Sequence, residues 1–303
     1  MGTDIDQEEF GERDYSRFAG RLEECLSALG QLLERPGFGA GPATVGAELE
    51  VFLVDGAARP LPHNQAIRAA VADPRVTVEL DRFNLELNAS PVPLAGRPFA
   101  ALGGELNVLL DHVADAAKDH AGRLALIGIL PTLSQADLGP GVMTDAPRYR
   151  ALNNGLRRLR QDRFRIRIAG ADPLELASED VALEGANSSF QVHLRVNPAE
   201  FTRTYNAVQL ATAPVLAVSG NSPTFWATGS GKRPGSPCSS SRLTTARATS
   251  HAAGWPAQHW ERAGCGAGRW SYSPRASGST GRCCRCSATG TCGPAAPGGR
   301  RHR

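Results

Sequence analysis

The sequence predicts an α+β fold, a sheet flanked by helices, with the ordered part confined to the first 225 of 303 residues. Three observations lead there. Stretches at 44–54, 76–88 and 190–196 alternate apolar and polar residues with the two-residue period of half-buried strands. Stretches at 14–34 and 101–117 repeat apolar residues at helical spacing. Beyond Phe225 the aliphatic residues that either pattern needs are nearly gone: 226–303 holds no Val, Ile, Phe or Met and one Leu, Leu243.

In chain order, 14–34 places Phe18, Leu22, Cys25, Leu26, Leu29, Leu32 and Leu33 on one helical face, and PGFGAGP at 36–42 stops it. This helix reads as scaffold covering one side of the sheet, without chemistry. The stretch TVGAELEVFLV at 44–54 follows. Val45, Ala47, Leu49, Val51 and Leu53 alternate with Gly46, Glu48, Glu50 and Phe52, so Glu48 and Glu50 point the same way. Two adjacent carboxylates repel and lose hydration, which calls for a positive group between them. A divalent metal is the simplest such group. An edge strand with a solvated acidic face is the alternative, and the stretch alone leaves both open.

A turn-rich piece at 55–62 leads to a short helix at 66–72 and then to VTVELDRFNLELNASPVPL, 76–94, whose alternation sets Glu79 and Glu86 opposite apolar neighbours. A second amphipathic helix at 101–117 carries Leu102, Leu106, Leu109, Leu110 and Val113. RLALIGILP, 123–131, is uniformly apolar and reads as a central strand. At 143–160 a loop gives way to a basic helix with Tyr149, Arg150, Arg157, Arg158 and Arg160, a face that is either solvated or meets an anionic ligand.

In NSSFQVHLRVNP, 187–198, Phe190, Val192, Leu194 and Val196 share one face, and Gln191, His193 and Arg195 the other. His193 taken alone reads either as a satisfied structural residue or as a ligand. Four carboxylates and one imidazole suit Mg²⁺ or Mn²⁺, with a phosphate-bearing substrate completing the coordination.

Charge divides the chain in two. The last 78 residues carry 12 Lys or Arg against one acid, Glu261, leaving 21 basic and 29 acidic residues, a net −8, in 1–225. The overall +3 and the pI near 8.5 are therefore no nucleic-acid signature for the whole protein. Residues 1–13 are acidic and polar without a secretory core, no run of about 18 apolar residues suggests a membrane span, and Cys25 is the single cysteine before Phe225. A cytoplasmic protein is expected.

GAELEVFLV, the acids seven apart in VELDRFNLELN, PRY at 147–149, SSFQVHLRV and VSGNSP at 218–223 together resemble the glutamate–cysteine ligase family, in particular its type 2 carboxylate–amine ligase branch. The resemblance implies a glutamine-synthetase-like fold, a curved and largely antiparallel sheet whose concave polar face holds ATP, glutamate and Mg²⁺ or Mn²⁺. It matches Glu48, Glu50, Glu79, Glu86 and His193 to the family's metal ligands, and makes Tyr149, Arg150, Gln191 and Arg195 neighbours of substrate or phosphates. The implied reaction is ATP-dependent amide formation through γ-glutamyl phosphate, with an amine such as cysteine as acceptor, as in glutathione biosynthesis, and with no protein nucleophile. Small-molecule substrates are the expected partners, with no specific nucleic acid and no membrane, and a homo-oligomer is compatible.

The organisation that follows is an N-terminal helix and linker at 1–41, a ligase-like core at 42–225 that is incomplete at its C-terminal side, and a disordered basic tail at 226–303. The tail holds all four Trp and six of the seven Cys. Loss of one nucleotide near codon 225 explains this, because Trp and Cys codons would each conceal a codon for Leu, Met or Val. The family's late acid and basic phosphate-holding residues have no recognisable counterpart there. GSGK at 229–232 lacks the residues of a phosphate loop, and the spacing of Cys283, Cys284, Cys286 and Cys292 is not that of a zinc finger or ribbon. The alternative function is a non-catalytic nucleotide- or RNA-binding protein acting through the basic tail, binding in a salt-dependent way.

Overall fold

The predicted strand at 44–54 is the centre of the molecule. A computed structural model of the chain describes residues 5–159, 163–168 and 174–222, so the predicted tail lies outside the described residues. Strand β1 (Thr44–Val54) pairs antiparallel along one edge with β3 (Asn84–Pro93), which in turn pairs with β2 (Val76–Val78). Its other edge is divided. Residues 44–49 pair with β7 (Phe190–Arg195), and 52–54 pair with β4 (Arg123–Ala125). Glu50 falls at the seam, where its N–H donates to the Ser189 carbonyl at 2.9 Å.

The alternation decides which face is covered. Val45, Ala47, Val51 and Leu53 are buried together with Val76, Leu85 and Leu87 against helices α2 (Asn64–Val71) and α3 (Pro98–Lys118). Helix α3 starts on Pro98, whose missing N–H costs nothing in a first turn. It offers Leu102, Leu106, Leu109, Val113 and Ala117 at spacings of three and four, and each Leu or Val contributes roughly 1.5–3 kcal/mol on full burial. The loop after β1 is set by Asp55, whose Oδ1 accepts from the N–H groups of Ala57 and Arg59 at 2.8 and 2.9 Å.

The opposite face of β1 is apolar only at its end. Phe52 stacks on Phe83 with ring centroids 6.2 Å apart, in a cluster with Ile129, Leu130, Leu133 and Ala186. This cluster closes one end of the face on which Glu48 and Glu50 lie. A third cluster of Leu80, Met143, Tyr149, Val181 and Ala182 packs beside it.

Two expectations need correction. The stretch at 123–131 is not a central strand: β4 is a three-residue segment, and the chain leaves the ladder after Ala125, with the Gly128 N–H donating to the Asn221 carbonyl at 3.0 Å. Its apolarity comes in part from Ile129 and Leu130, which bury from a loop into the Phe52 cluster. Helix α1 (Glu12–Glu34) does not cover the sheet, since none of its residues is buried and Phe18, Leu22, Leu26, Leu29 and Leu33 stay exposed. On the basic helix α4 (Pro147–Leu159), Arg158 and Arg150 meet the N-terminal segment of the chain. Arg158 lies over the Tyr15 ring at 4.8 Å, donates to the Phe10 carbonyl at 3.1 Å and pairs with Glu12, while Arg150 pairs with Glu8 at 2.8 Å. Arg160 lies outside the described residues.

Two elements have no counterpart in the sequence reading, the hairpin of β5 (Phe164–Ile168) with β6 (Leu174–Ser178), and helix α5 (Phe201–Val218). Among the described residues β7 pairs only with β1, and Phe190, Val192 and Leu194 on its apolar face are exposed at 57%, 55% and 42%. An open strand edge beside bare apolar surface favours self-association. Sedimentation of the full chain is therefore expected to show species larger than a monomer. A single monomeric boundary at micromolar concentration would contradict this.

Candidate functional site

Strand register gathers the acids. Side chains directly opposite across an antiparallel pair share a face. Glu50 stands opposite Glu86, and Glu48 opposite Asn88, on β3. On β7, Gln191 stands opposite Glu48, His193 opposite Gly46 and Arg195 opposite Thr44. One polar face thus carries Glu48, Glu50, Glu86, Gln191, His193 and Arg195, and Glu79 reaches it from the residue after β2.

The face divides into two parts. At one, His193 Nε2 lies 3.2 Å from Glu48 Oε2. At the other, Glu50 accepts from the Ser189 N–H at 2.9 Å and the Ser189 hydroxyl at 2.8 Å, with the Gln191 amide at 3.5 Å. Glu86 is oriented by Thr77 Oγ1 at 3.0 Å and Asn88 Nδ2 at 2.9 Å.

Beside Glu50 is a small polar cavity of about 30 Å³, lined by Glu50, Glu79, Asn84 and Glu184 among others. Burial, reinforced by the charges of Glu86 and Glu50, pushes the Glu79 carboxyl up to about 8. Burial also raises Glu50, against the opposing Ser189 hydrogen bonds, and raises Glu184 together with the charge of Glu50. Glu184 is exposed as a residue, so this crowding acts on the carboxyl end that faces the cavity.

Such an arrangement suits a cation. Asn84 is buried and its Oδ1 has no hydrogen-bond partner, which leaves an orphaned oxygen on the cavity wall. Three acids whose proton affinities are raised by burial and mutual repulsion would be relieved by positive charge. Among the described residues no three His, Cys, Asp or Glu side chains are drawn close enough to enclose a metal ion as they stand, so the carboxylates surround a space and do not touch a common point. All the lining donors are oxygens, which matches Mg²⁺ or Mn²⁺ chemistry.

Three of the four residues expected near substrate have partners within the chain. Tyr149 is buried and its hydroxyl donates to the Val78 carbonyl at 2.8 Å, while Arg148 donates to that hydroxyl at 2.7 Å; burial and the nearby Glu79 push the phenol upward. It fixes the end of β2, from which Glu79 projects. Arg150 is drawn away by Glu8 and Asp145. Arg195 donates to the carbonyls of Pro42 at 3.0 Å and Ala40 at 2.9 Å, tying the loop before β1 to β7. Gly41, at φ 118°, passes beside that guanidinium in a conformation that only glycine adopts without strain. Gln191 is the fourth, and it does face Glu50.

The sequence reading missed Asn84, Glu184 and Ser189 as members of the site. Ser189 lay within a quoted motif but gave no sign of its carboxylate partner, and Glu184 belongs to an aperiodic segment.

The comparisons with known proteins give one family match and a weak structural likeness. A solved structure of a glutamate–cysteine ligase from Francisella tularensis in complex with AMP aligns with 12% identity and a TM-score of 0.35, over 55% of this chain and 30% of that one. No curated protein matches. The chain spans less than a third of that enzyme's length. The sequence model of Glutamate-cysteine ligase family 2 (GCS2) matches residues 44–262, starting on the first residue of β1 and running past Phe225, where the motifs stop. With well over half of its residues inside that match, the chain belongs to glutamate–cysteine ligase family 2.

Proposed function

We propose that the polar face of the sheet is the cation and phosphate side of an ATP-dependent carboxylate–amine ligase, acting on glutamate and an amine such as cysteine. The observation that supports this best is the convergence of Glu50, Glu79 and Glu86, from three separate strand regions, on one partly buried polar face whose carboxyls lack a full positive counterpart. Glu48, Glu50, Glu79, Glu86 and His193 would hold Mg²⁺ or Mn²⁺, and Gln191 would lie beside the phosphates.

A divalent cation, when bound, offsets the repulsion between the substrate carboxylate and the ATP phosphates. The residues of the chain position and orient. Ser189 fixes both oxygens of Glu50, and Thr77 with Asn88 fixes Glu86, so these carboxylates need little reorganisation. The Phe52–Phe83 cluster closes one end of the face against water. A glutamate γ-carboxylate oxygen attacks the γ-phosphorus of ATP and ADP departs. The amine then attacks the acyl carbon, phosphate leaves, and the amine proton passes to solvent. The product is a γ-glutamyl amide.

We read the present chain as impaired, because the late acid and phosphate-holding basic residues expected beyond 225 are not recognisable and the tail composition fits a shifted frame. In the frame-restored chain, glutamate- and Mg²⁺-dependent ADP release is expected, falling by at least about 10-fold in Glu50→Gln. The present chain is expected to be slower. ADP release that ignores glutamate, or a wild-type rate in Glu50→Gln, would overturn the reading.

A further inference from the structure

The free edge of β7 has the pattern of a strand-receiving surface. The Glu50 N–H donates to the Ser189 carbonyl one step beyond the Leu49–Phe190 pair, so that step of the ladder is a bonded one. Bonded positions alternate in an antiparallel pair. Gln191, His193 and Arg195 therefore turn their backbone groups toward β1, and Phe190, Val192 and Leu194 turn theirs outward. Among the described residues no strand meets that outward row, since β7 pairs only with β1.

Edge strands are ordinarily blunted by shortness, proline, lysine or a bulge. The opposite edge of the sheet is β2, three residues long. Strand β7 has six residues, FQVHLR, with no Pro or Lys among them, a continuous register with β1, and every residue exposed. The remainder of the chain offers little to cover it. Residues 226–303 contain no Val, Ile, Phe or Met and one Leu, so no alternating apolar segment remains to lie along this edge.

The edge is complementary to itself. A two-fold axis at Val192 would set Val192 against Val192 of a second copy, and Phe190 against its Leu194 at both ends. All of these are outward positions, and each such pair exchanges two hydrogen bonds, about six across the three pairs. A slip of one residue would oppose apolar to polar faces. A slip of two leaves fewer outward pairs and, in one direction, sets His193 against His193. On the polar face the Val192 register places Gln191 opposite His193, so no like charges meet.

We propose that β7 is the docking edge for a second copy of this chain, joined antiparallel about Val192 so that the two sheets become one. The assignment stands apart from the ligase reading. A two-fold pair closes on itself, so assembly through this edge stops at a dimer.

The test is sedimentation velocity on the full chain at micromolar concentration, with circular dichroism confirming that each variant is folded. The wild type is expected to sediment as a dimer. Val192→Lys, at an exposed position, sets two ammonium groups opposite each other at the axis and should raise the dimer dissociation constant at least about 10-fold. Phe190→Lys should also weaken the dimer, and adding Leu194→Glu should restore it, because opposite charges then face each other at both ends of the pair. Leu26→Lys, on the bare face of α1, should associate as the wild type does. A monomeric wild type, an undiminished dimer in Val192→Lys, loss of the dimer in Leu26→Lys, or no rescue in the double variant would each overturn the assignment.

Discussion

Asp81→Asn is expected to stabilise the chain at pH 8 by a few kcal/mol and to leave its stability at pH 4 nearly unchanged. Asp81 is fully buried, and neither carboxylate oxygen has a hydrogen-bond partner. Burial, helped by the charges of Glu184 and Asp180, pushes its pKa up to about 9 from a normal 3.8. The folded chain then keeps a proton that the unfolded chain releases. Between roughly pH 4 and pH 9 the unfolded state binds fewer protons, so stability falls as pH rises, by at most about 1.4 kcal/mol per pH unit from this one group. Asparagine has the same shape and no charge, which removes that slope. Glu79, raised to about 8, contributes in the same direction, so the wild-type slope should shrink in the variant and not vanish. Urea denaturation in EDTA across this range provides the measurement, and equal slopes for the two proteins would show that Asp81 is ionised in the folded state.

Gly185→Ala is expected to cost about 3 kcal/mol or more, the upper part of the range for overpacking, because its neighbour cannot give way. The added Cβ would lie 2.4 Å from both Asp81 Cγ and Oδ2 and 2.9 Å from Asp81 Cβ, and Asp81 is itself buried. Relief would require the Glu184–Ala186 turn to move off Asp81. Combining the substitution with Asp81→Ala removes the two closest contacts and should recover part of the loss. A double-mutant cycle in urea reads this directly as a favourable coupling energy. Additive losses would mean that the clash is accommodated elsewhere.

The elements that alternate were legible in the sequence, and for a physical reason. Thr44–Val54 has an apolar face against α3 and a polar face that carries Glu48 and Glu50, so burial writes a two-residue period into it. The stripe of Leu102, Leu106, Leu109 and Val113 announced α3 in the same way. Ile129 and Leu130 misled because a buried loop is as apolar as a central strand. Helix α5 escaped notice because Val208, Leu210, Val215 and Val218 are all exposed, so no single covered stripe shaped its pattern.

Within the site, residue type revealed charge but not partner. Glu48 and Glu50 could be placed on one side of a strand from spacing, because strand geometry alone fixes which way they point, whereas Glu86 joins them through the β1–β3 register. The partners of Tyr149 and Arg195 could not be read, since both are engaged by backbone carbonyls, which every residue possesses and no sequence displays. Glu184 depends on a close approach between Gly185 and Asp81, a property of topology and not of any local motif.

The divided edge of β1 sets the order in which the protein can mature. Glu50 meets Ser189 across 139 positions of chain, whereas β1 meets β3 across 32 to 49, from Phe52–Asn84 to Thr44–Pro93. Closing so long a loop carries an entropy penalty that the pairing of β7 must offset, so these contacts form late and open early. A nascent chain therefore has its core helices and the β1–β3 ladder before its polar face is complete. Docking of residue 189 onto Glu50 finishes that face, and its release is the first step by which the face comes apart.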